Sequence, residues 1–481
     1  MLLQSLWIEQ YQTLEGFKMY FLSEPTEQKG QPKSNQRVRL NLLVGPNGAG
    51  KSSFLDALFN MTAKTIDNLS PGFRFEQKWK PRPKPAETIT IGNKQEPHNF
   101  ELLPWKQVIR LHTGATERAP SATGSKAFAL TDFDCKYALL AVHLLHSNKV
   151  STSTQDIWND VNELLWNNPT RPKSEILPQI AWLEINTQKN DPETLKQDLN
   201  KYFPISAEQT MGANKQRFYW HLNKEKKTDS EEFPPLSQSN PWAFFQFLME
   251  ESKKGVVLDA GFLFSKTQGS DNLIRSQALS DGELGFYSRF ALIYLLRFVG
   301  GQSASLSPAT EPPEAEKTKP DETSKPSPRC LVLLDEPEVH FNEYWKAEFL
   351  YYICECFKDS EWGYDFFIAT HSAMLVSDAK PEEIHRLQQH EAGVMVYPPP
   401  INTFGANPVD IGRTLFMMEA DIGKRSRTEI EAVLKKEISA ATAAELKTEI
   451  QTMMKVVGPG EWRWRLRTML RDVERELSNK K

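Results

Sequence analysis

A glycine-rich segment that follows a short apolar run has the residue types that bind phosphate. Residues 45–52 read Gly-Pro-Asn-Gly-Ala-Gly-Lys-Ser and match the phosphate-loop pattern in full, between an apolar run and a predicted helix. Glycines let backbone N–H groups turn inward around phosphate oxygens, Lys51 adds a positive charge, and the helix N-terminus adds a favourable dipole. Ser52 is predicted to offer its hydroxyl to Mg²⁺. The predicted phosphate-binding set is Gly45, Pro46, Asn47, Gly48, Ala49, Gly50, Lys51, Ser52 and Ser53.

Two carboxylates end a second apolar run. Residues 330–337 read Cys-Leu-Val-Leu-Leu-Asp-Glu-Pro, which is typical of a buried parallel strand. Ligands of such sheets lie at the carboxyl ends of the strands. Asp335 is therefore predicted to hold Mg²⁺, directly or through water, and Glu336 to orient or deprotonate an attacking water. Taken alone, the segment is also compatible with a strand that ends in a solvated acidic turn.

A third apolar run delivers a histidine. Residues 366–372 read Phe-Phe-Ile-Ala-Thr-His-Ser, about one helix and one strand after the acidic pair. We expect His371 to reach the same sheet edge and to hydrogen-bond a terminal phosphate or the catalytic water. The predicted catalytic residues are thus Glu336 and His371.

A serine-led loop opens the long apolar helical segment 286–299. It reads Leu-Ser-Asp-Gly-Glu over residues 279–283. A hydroxyl, a glycine backbone and a helix N-terminus together make an anion site. The same residues form a capping box, with Ser280 as the cap and Glu283 near the third helical position. The two interpretations are compatible.

In the order of these four motifs the sequence resembles the ABC ATPase superfamily, and residues 279–283 resemble its signature loop. The resemblance implies ATP and Mg²⁺ as cofactors, and heads that pair head to tail in a homodimer or larger homo-oligomer. It implies that the ATP held by Lys51 of one chain is also contacted by the signature loop of the other, through Ser280, Asp281, Gly282 and Glu283. Asp281 departs from the commonest transporter form, in which a glycine often follows the serine.

The residues after the acidic pair indicate a branch of that superfamily. Residues 335–341, Asp-Glu-Pro-Glu-Val-His-Phe, resemble overcoming-lysogenization-defect ATPases, RecF-like heads and the PtuA-type ATPases of Septu and retron phage-defence systems. Residues 403–411 also resemble the PtuA type, which implies an ATPase that regulates a nuclease or toxin. The residues after His371 show no nuclease pattern, so the resemblance implies a separate HNH nuclease, with a reverse transcriptase and its RNA–DNA product in retron versions. A RecF- or SMC-like DNA-repair clamp and a nucleotide-sensing scaffold with little turnover remain alternatives.

These features predict an α/β fold: an ABC-type ATPase head with a mixed sheet and a phosphate-loop core, a helical insertion and a C-terminal helical region. The insertion is predicted because segments such as 135–147 have apolar positions at helical spacing. A polar tract over 300–328 is predicted to loop out as a disordered segment. The predicted boundaries are 1–125 for the first half of the head, 126–254 for the helical insertion, 255–400 for the second half and 401–481 for a partner-docking region.

Composition limits the remaining function classes. The formal net charge is −4, so nucleic acid would be contacted only through a local patch, and DNA remains a possible partner. No run reaches the roughly 18 apolar residues of a membrane span, so no membrane association is predicted. The cysteines form no metal-type pairs, which favours reduced thiols in a cytoplasmic protein.

Some weaker candidates complete the sequence analysis. Gln77 and Gln107 are candidates for the glutamine that the superfamily places near its nucleotide, and Arg118 for a nucleotide or interface contact. Two basic stretches with interleaved aromatic residues, 74–84 and 455–481, have the composition of nucleic-acid contacts, although such runs are also typical of solvated faces.

Overall fold

Strands from both halves of the chain join in one large mixed sheet. The computed structural model describes residues 2–11, 13–20, 37–62, 75–80, 88–91, 105–112, 127–147, 161, 177–222, 240–265, 273–276, 279–299, 328–358, 360, 362–391, 393–417, 422–439 and 441–478. Within them, eleven strands form the larger sheet. In spatial order these are β5 (Thr88–Ile91), β4 (Phe75–Lys80), β1 (Leu2–Tyr11), β2 (Leu14–Tyr20), β16 (Gly393–Tyr397), β15 (Ile384–His390), β3 (Val38–Val44), β14 (Gly363–Ala369), β13 (Arg329–Asp335), β6 (Trp105–His112) and β7 (Ala127–Thr131).

The strands from β15 to β7 run parallel, and their register aligns their carboxyl ends. Asp335 at the end of β13 pairs with Ala369 of β14 on one side and with His112 of β6 on the other. Ala369 in turn pairs with Leu43 of β3. The residues that follow these strands therefore emerge at a single sheet edge, where open α/β sheets bind their ligands.

Eleven α-helices lie within the described residues. They are α1 (Lys51–Thr62), α2 (Asp132–Ser147), α3 (Pro192–Asn200), α4 (Pro241–Lys253), α5 (Asp281–Leu295), α6 (Glu343–Phe357), α7 (Ala373–Ser377), α8 (Pro408–Leu415), α9 (Lys424–Leu434), α10 (Ala443–Val456) and α11 (Glu461–Ser478). The Phe54 ring of α1 lies 5.3 Å from that of Phe17 and 5.9 Å from that of Phe367, between centroids. This packing fixes the start of α1 beneath the parallel strands.

The region 126–254, predicted as a helical insertion, is only partly helical. Its first strand, β7, belongs to the large sheet, and three more strands belong to a second, antiparallel sheet. That sheet has the order β12 (Leu273–Arg275), β11 (Val257–Ser265), β8 (Leu177–Asn186), β10 (Lys215–His221) and β9 (Ala207–Gly212). In β10, Phe218 and Trp220 are both buried, and their spacing of two residues is the period of a strand. The helical spacing of apolar residues in α2 does not continue into this segment.

The chain divides into two compact units, residues 1–411 and 412–481. The second unit is helical, and its core contains Ile430, Leu446, Ile450, Leu466 and Val473. Its boundary falls inside α8, later than the predicted 401. None of the helices that the structure describes is long and apolar enough to cross a membrane. Residues 300–327 of the polar tract lie outside the described residues.

Candidate nucleotide site

The glycine-rich loop between β3 and α1 requires its glycines. Gly45, Gly48 and Gly50 have φ angles of 149°, 78° and 89°, a region that side chains with a Cβ rarely adopt. A Cβ at Gly45 would lie 2.4 Å from the carbonyl oxygen of Leu387, and one at Gly50 would lie 2.7 Å from Leu14 Cδ2. The loop therefore packs its backbone against β2 and β15 and forms a concave turn before the helix N-terminus, as a phosphate cradle requires.

Lys51, the first residue of α1, lies against this loop. Its Nζ donates hydrogen bonds to the carbonyl oxygens of Gly45 at 3.0 Å and Pro46 at 3.1 Å. Burial lowers the pKa of Lys51 to about 8, and the nearby carboxylates of Glu336, Asp335 and Glu338 partly oppose this shift. The two carbonyl oxygens stabilise the Lys51 ammonium only in part, and a bound phosphate would supply a full negative charge beside it.

Ser52 and Asp335 come together across the sheet edge. Ser52 Oγ donates to Asp335 Oδ1 at 3.1 Å. A hydroxyl and a carboxylate oxygen are among the oxygen ligands that Mg²⁺ prefers. Burial raises the pKa of Asp335, while Arg110 and the Ser52 hydrogen bond oppose the shift. Ser53 instead bonds Thr13, with 2.9 Å between their hydroxyl oxygens.

Glu336 and His371 also meet at this edge. His371 Nε2 lies 3.6 Å from Glu336 Oε1. Glu336 has a φ of 49°, in the left-handed region, and its backbone N–H donates to the Ala369 carbonyl at 2.9 Å. Burial and the nearby Lys51 charge lower the pKa of His371 to about 4. The structure thus brings together Lys51, Ser52, Asp335, Glu336 and His371.

A second carboxylate in the same turn was not predicted. Glu338 is 5% exposed, and its Oε1 accepts a hydrogen bond from the Thr370 hydroxyl. The backbone N–H of His371 also donates to this carboxyl group. The sequence signal for Glu338 was its place in the Glu-Pro-Glu run, which served only to indicate the branch.

A buried arginine beside Asp335 was also missed. Arg110 of β6 is 1% exposed, and its Nη2 lies 2.9 Å from Asp56 Oδ1 and 3.5 Å from Asp335 Oδ2. Its charge opposes the burial that raises the pKa of both carboxyls. Arg110 is one of several polar residues in β6, beside Lys106 and Gln107, so its spacing gave no signal for partners on α1 and β13.

The signature-like loop adopts the capping box. Ser280 Oγ accepts from the Glu283 backbone N–H at 3.2 Å, and Glu283 Oε2 accepts from the Ser280 backbone N–H at 2.8 Å. Asp281 begins α5. A Cβ at Gly282 would lie 2.5 Å from the His340 carbonyl oxygen, so the start of α5 packs against the turn that follows Asp335.

Arg289, two turns further along α5, strengthens this contact. It is 2% exposed and donates from Nη1 to the carbonyl oxygens of Pro337 at 2.8 Å and Val339 at 2.6 Å. Its Nε and Nη2 both donate to the Asp132 carboxylate at 2.8 Å, in a two-point ion pair. One side chain therefore joins α5, the turn after β13 and the start of α2.

The weaker candidates divide in the structure. Gln107 pairs with Cys330 in the middle of the sheet, five residues before the Asp335–His112 pair, which is roughly 16 Å along a strand. It is thus too far from the strand ends to serve the nucleotide. The side chains of Gln77 and of the 74–84 stretch, and Arg118, lie outside the described residues. In the C-terminal stretch Trp464 is 61% exposed, but Arg465 and Arg475 lie 2.5 Å and 3.8 Å from Glu461 and Asp472.

The parallel strand order, the glycine-rich loop before α1 and the carboxylates at the strand ends define an ABC-type ATPase head. Residues 40–378 match the family described as "AAA domain, putative AbiEii toxin, Type IV TA system". Because this match spans more than half of the sequence, the chain belongs to that family. A search of curated proteins found no match.

Solved structures with detectable similarity include heads of SMC proteins. The SMC head domain from Thermotoga maritima is 11% identical, with 83% of this chain and 100% of that chain covered and a TM-score of 0.32. An Smc head bound to the C-winged helix domain of ScpA is 10% identical, with 82% of this chain and 97% of that chain covered and a TM-score of 0.32. A third structure is an Smc head with an extended coiled coil, bound to the C-terminal domain of ScpA derived from Pyrococcus furiosus. It is 10% identical, with 82% of this chain and 95% of that chain covered and a TM-score of 0.29. At these TM-scores the fold assignment depends on the strand order and the loop geometry alone.

Proposed function

We propose that this protein binds and hydrolyses ATP between two copies of its head. The observation that supports this most directly is the meeting of Lys51, Ser52, Asp335, Glu336 and His371 at one sheet edge. Lys51 and the loop N–H groups bind the phosphates, and Ser52 and Asp335 hold Mg²⁺. When bound, the metal neutralises charge on phosphate oxygens.

Glu336 and His371 carry the remaining chemistry in this proposal. Glu336 orients the attacking water and accepts its proton, while His371 hydrogen-bonds the terminal phosphate or that water. Ser280, Asp281, Gly282 and Glu283 of the second copy complete the site through the N-terminus of its α5. The capping box supports this role because it already orders the loop in the single chain.

Glu336→Gln tests the proposal because the amide keeps the shape of the carboxylate and loses the base. We expect ATP affinity within about twofold of the wild type and a loss of turnover of about 100-fold or more. ATP titration calorimetry and phosphate release measure the two quantities, with Lys51→Ala as the matched control that loses binding. Normal phosphate release by Glu336→Gln would remove Glu336 from the catalytic role.

We further propose that this ATPase regulates a separate nuclease or toxin in cytoplasmic anti-phage defence. The run Glu-Pro-Glu-Val-His after Asp335 supports the branch, and the family description, which names a putative toxin of a toxin–antitoxin system, supports a toxin link. An HNH nuclease, a retron reverse transcriptase with its RNA–DNA product, and DNA are the proposed partners. A DNA-repair clamp and a nucleotide-sensing scaffold are the alternative functions.

The C-terminal residues are the proposed docking region for that partner. Ile411 and Leu415 are buried, so packing explains them, whereas Phe404 and Met417 are 60% and 51% exposed. Co-expression with a neighbouring nuclease gene, with and without residues 401–481, tests the docking. Retention of the nuclease by the shortened chain would place the docking surface elsewhere, and no association with the full chain would contradict the partner proposal.

A further inference from the structure

Glu338 is a buried carboxylic acid that neither phosphate binding nor water activation requires. Its Oε1 accepts from the Thr370 hydroxyl, and the His371 backbone N–H donates to the same carboxyl group. Its Oε2 is buried and has no hydrogen-bond partner among the described residues. Burying a carboxyl group costs free energy, and an acceptor atom without a partner adds to that cost.

The position of Glu338 allows it to hold Thr370 and His371, the two residues that follow β14. Two links join the turn after β13 to the end of β14. One is the backbone hydrogen bond from Glu336 N–H to the Ala369 carbonyl, at 2.9 Å. The other is Glu338, which holds the next two residues, Thr370 and His371. The first link fixes the end of the strand, and the second fixes the residue whose ring faces Glu336.

Thr370 is held from both directions. It is fully buried, and its Oγ1 accepts from the Ser372 backbone N–H at 2.9 Å while it donates to Glu338. Loss of the Glu338 carboxyl group would leave the Thr370 hydroxyl and the His371 N–H without their acceptor. Buried donors do not remain unsatisfied at low cost, so the segment would shift to find other partners.

We propose that Glu338 is a positioning residue that holds the His371 ring beside Glu336, with 3.6 Å between Nε2 and Oε1, and within reach of the terminal phosphate. This inference rests on the proposed ATP hydrolysis and on the role of His371 in it. Glu338 contacts neither the phosphate-binding loop nor the Ser52–Asp335 pair in the hydrogen bonds described above. Its charge acts on Lys51 only at a distance and less than those of Glu336 and Asp335, so its effect should fall mainly on turnover.

Three variants test whether Glu338 positions His371 for turnover or only stabilises the fold. Glu338→Ala removes both acceptor atoms and should lower kcat by about 10- to 100-fold, with KM and ATP affinity within about twofold. Glu338→Gln keeps one carbonyl oxygen that can accept from both donors, so it should restore kcat to within about threefold of the wild type. Thr370→Val, which keeps the shape of threonine, should lower kcat in the same direction as Glu338→Ala.

A double-mutant cycle with His371→Ala identifies the residue through which Glu338 acts. We expect His371→Ala to lower kcat, and Glu338→Ala to lower it no further in that background. Additive losses, or a wild-type kcat for Glu338→Ala and Thr370→Val, would overturn the inference while leaving ATP hydrolysis intact. Absence of turnover in the wild type would instead overturn the proposed function. If Glu338→Ala does not fold, Thr370→Val carries the same cycle.

Discussion

At the residue scale, the chemistry of the site depends on groups that burial shifts away from their ordinary ionisation. Lys51 donates to two carbonyl oxygens of its own loop, and burial lowers its pKa to about 8. His371 is half-buried beside that ammonium, which together with burial lowers its pKa to about 4. A neutral imidazole can donate from one nitrogen and accept at the other, so it can serve either the phosphate or the water.

The pKa of His371 predicts a flat pH response where a free histidine would titrate. With a pKa near 4, His371 stays neutral from about pH 5.5 to 7.5, and kcat should show no inflection near pH 6.5 from this residue. A kcat profile of the wild type beside His371→Gln measures this. An inflection near pH 6.5 that disappears in His371→Gln would show that the ring titrates in the working site.

At the scale of elements, side-chain hydrogen bonds and close packing hold α5 against the turn after β13. Arg289 bonds the carbonyl oxygens of Pro337 and Val339 on one side and the Asp132 carboxylate on the other. The contact between Gly282 and the His340 carbonyl lies at the start of the same helix. The loop that contacts the partner's ATP in our proposal is thus packed against the turn that carries Glu336.

Arg289→Met tests how much these Arg289 hydrogen bonds stabilise the fold. It should lower the free energy of unfolding by about 3 kcal/mol, because it leaves Asp132 and two carbonyl oxygens without their donor. Arg275→Met, at an exposed position of β12, is the matched control and should change stability by less than about 0.5 kcal/mol. Urea unfolding measures the free energy of unfolding of both variants. Equal losses in the two variants would show that the Arg289 hydrogen bonds do not stabilise the contact between α5 and this turn.

The sequence predicted the parts of the site that are local in the chain and missed those that depend on distant partners. The phosphate loop, the strand-end carboxylates and His371 follow from contiguous patterns. Arg289 and Asp132 are 157 residues apart, and Arg110 and Asp335 are 225 apart. Single charged residues in apolar segments give no spacing that identifies such partners. The strands β8–β10 were missed because the helical pattern of α2 was extended over a region with a strand period.

At the scale of the whole molecule, each chain carries one phosphate loop and one signature-like loop. Two copies in symmetric pairing would form two equal sites, each with Lys51 from one chain and Ser280 from the other. Ser280→Arg should spare ATP binding by a single head and block, through bulk and charge, only the site to which residue 280 contributes. Lys51→Ala should lose ATP binding and leave its own signature loop intact.

Mixing these two inactive chains tests the shared site most directly. A mixed pair contains one complete site, made of Lys51 from the Ser280→Arg chain and Ser280 from the Lys51→Ala chain. If chains pair at random and sites act independently, an equal mixture should recover about one quarter of wild-type ATP hydrolysis. Lys51→Ala mixed with the Lys51→Ala, Ser280→Arg double variant contains no complete site and should stay inactive. Recovery in the first mixture alone is the predicted result, and no recovery above the sum of the separate chains would contradict the shared site.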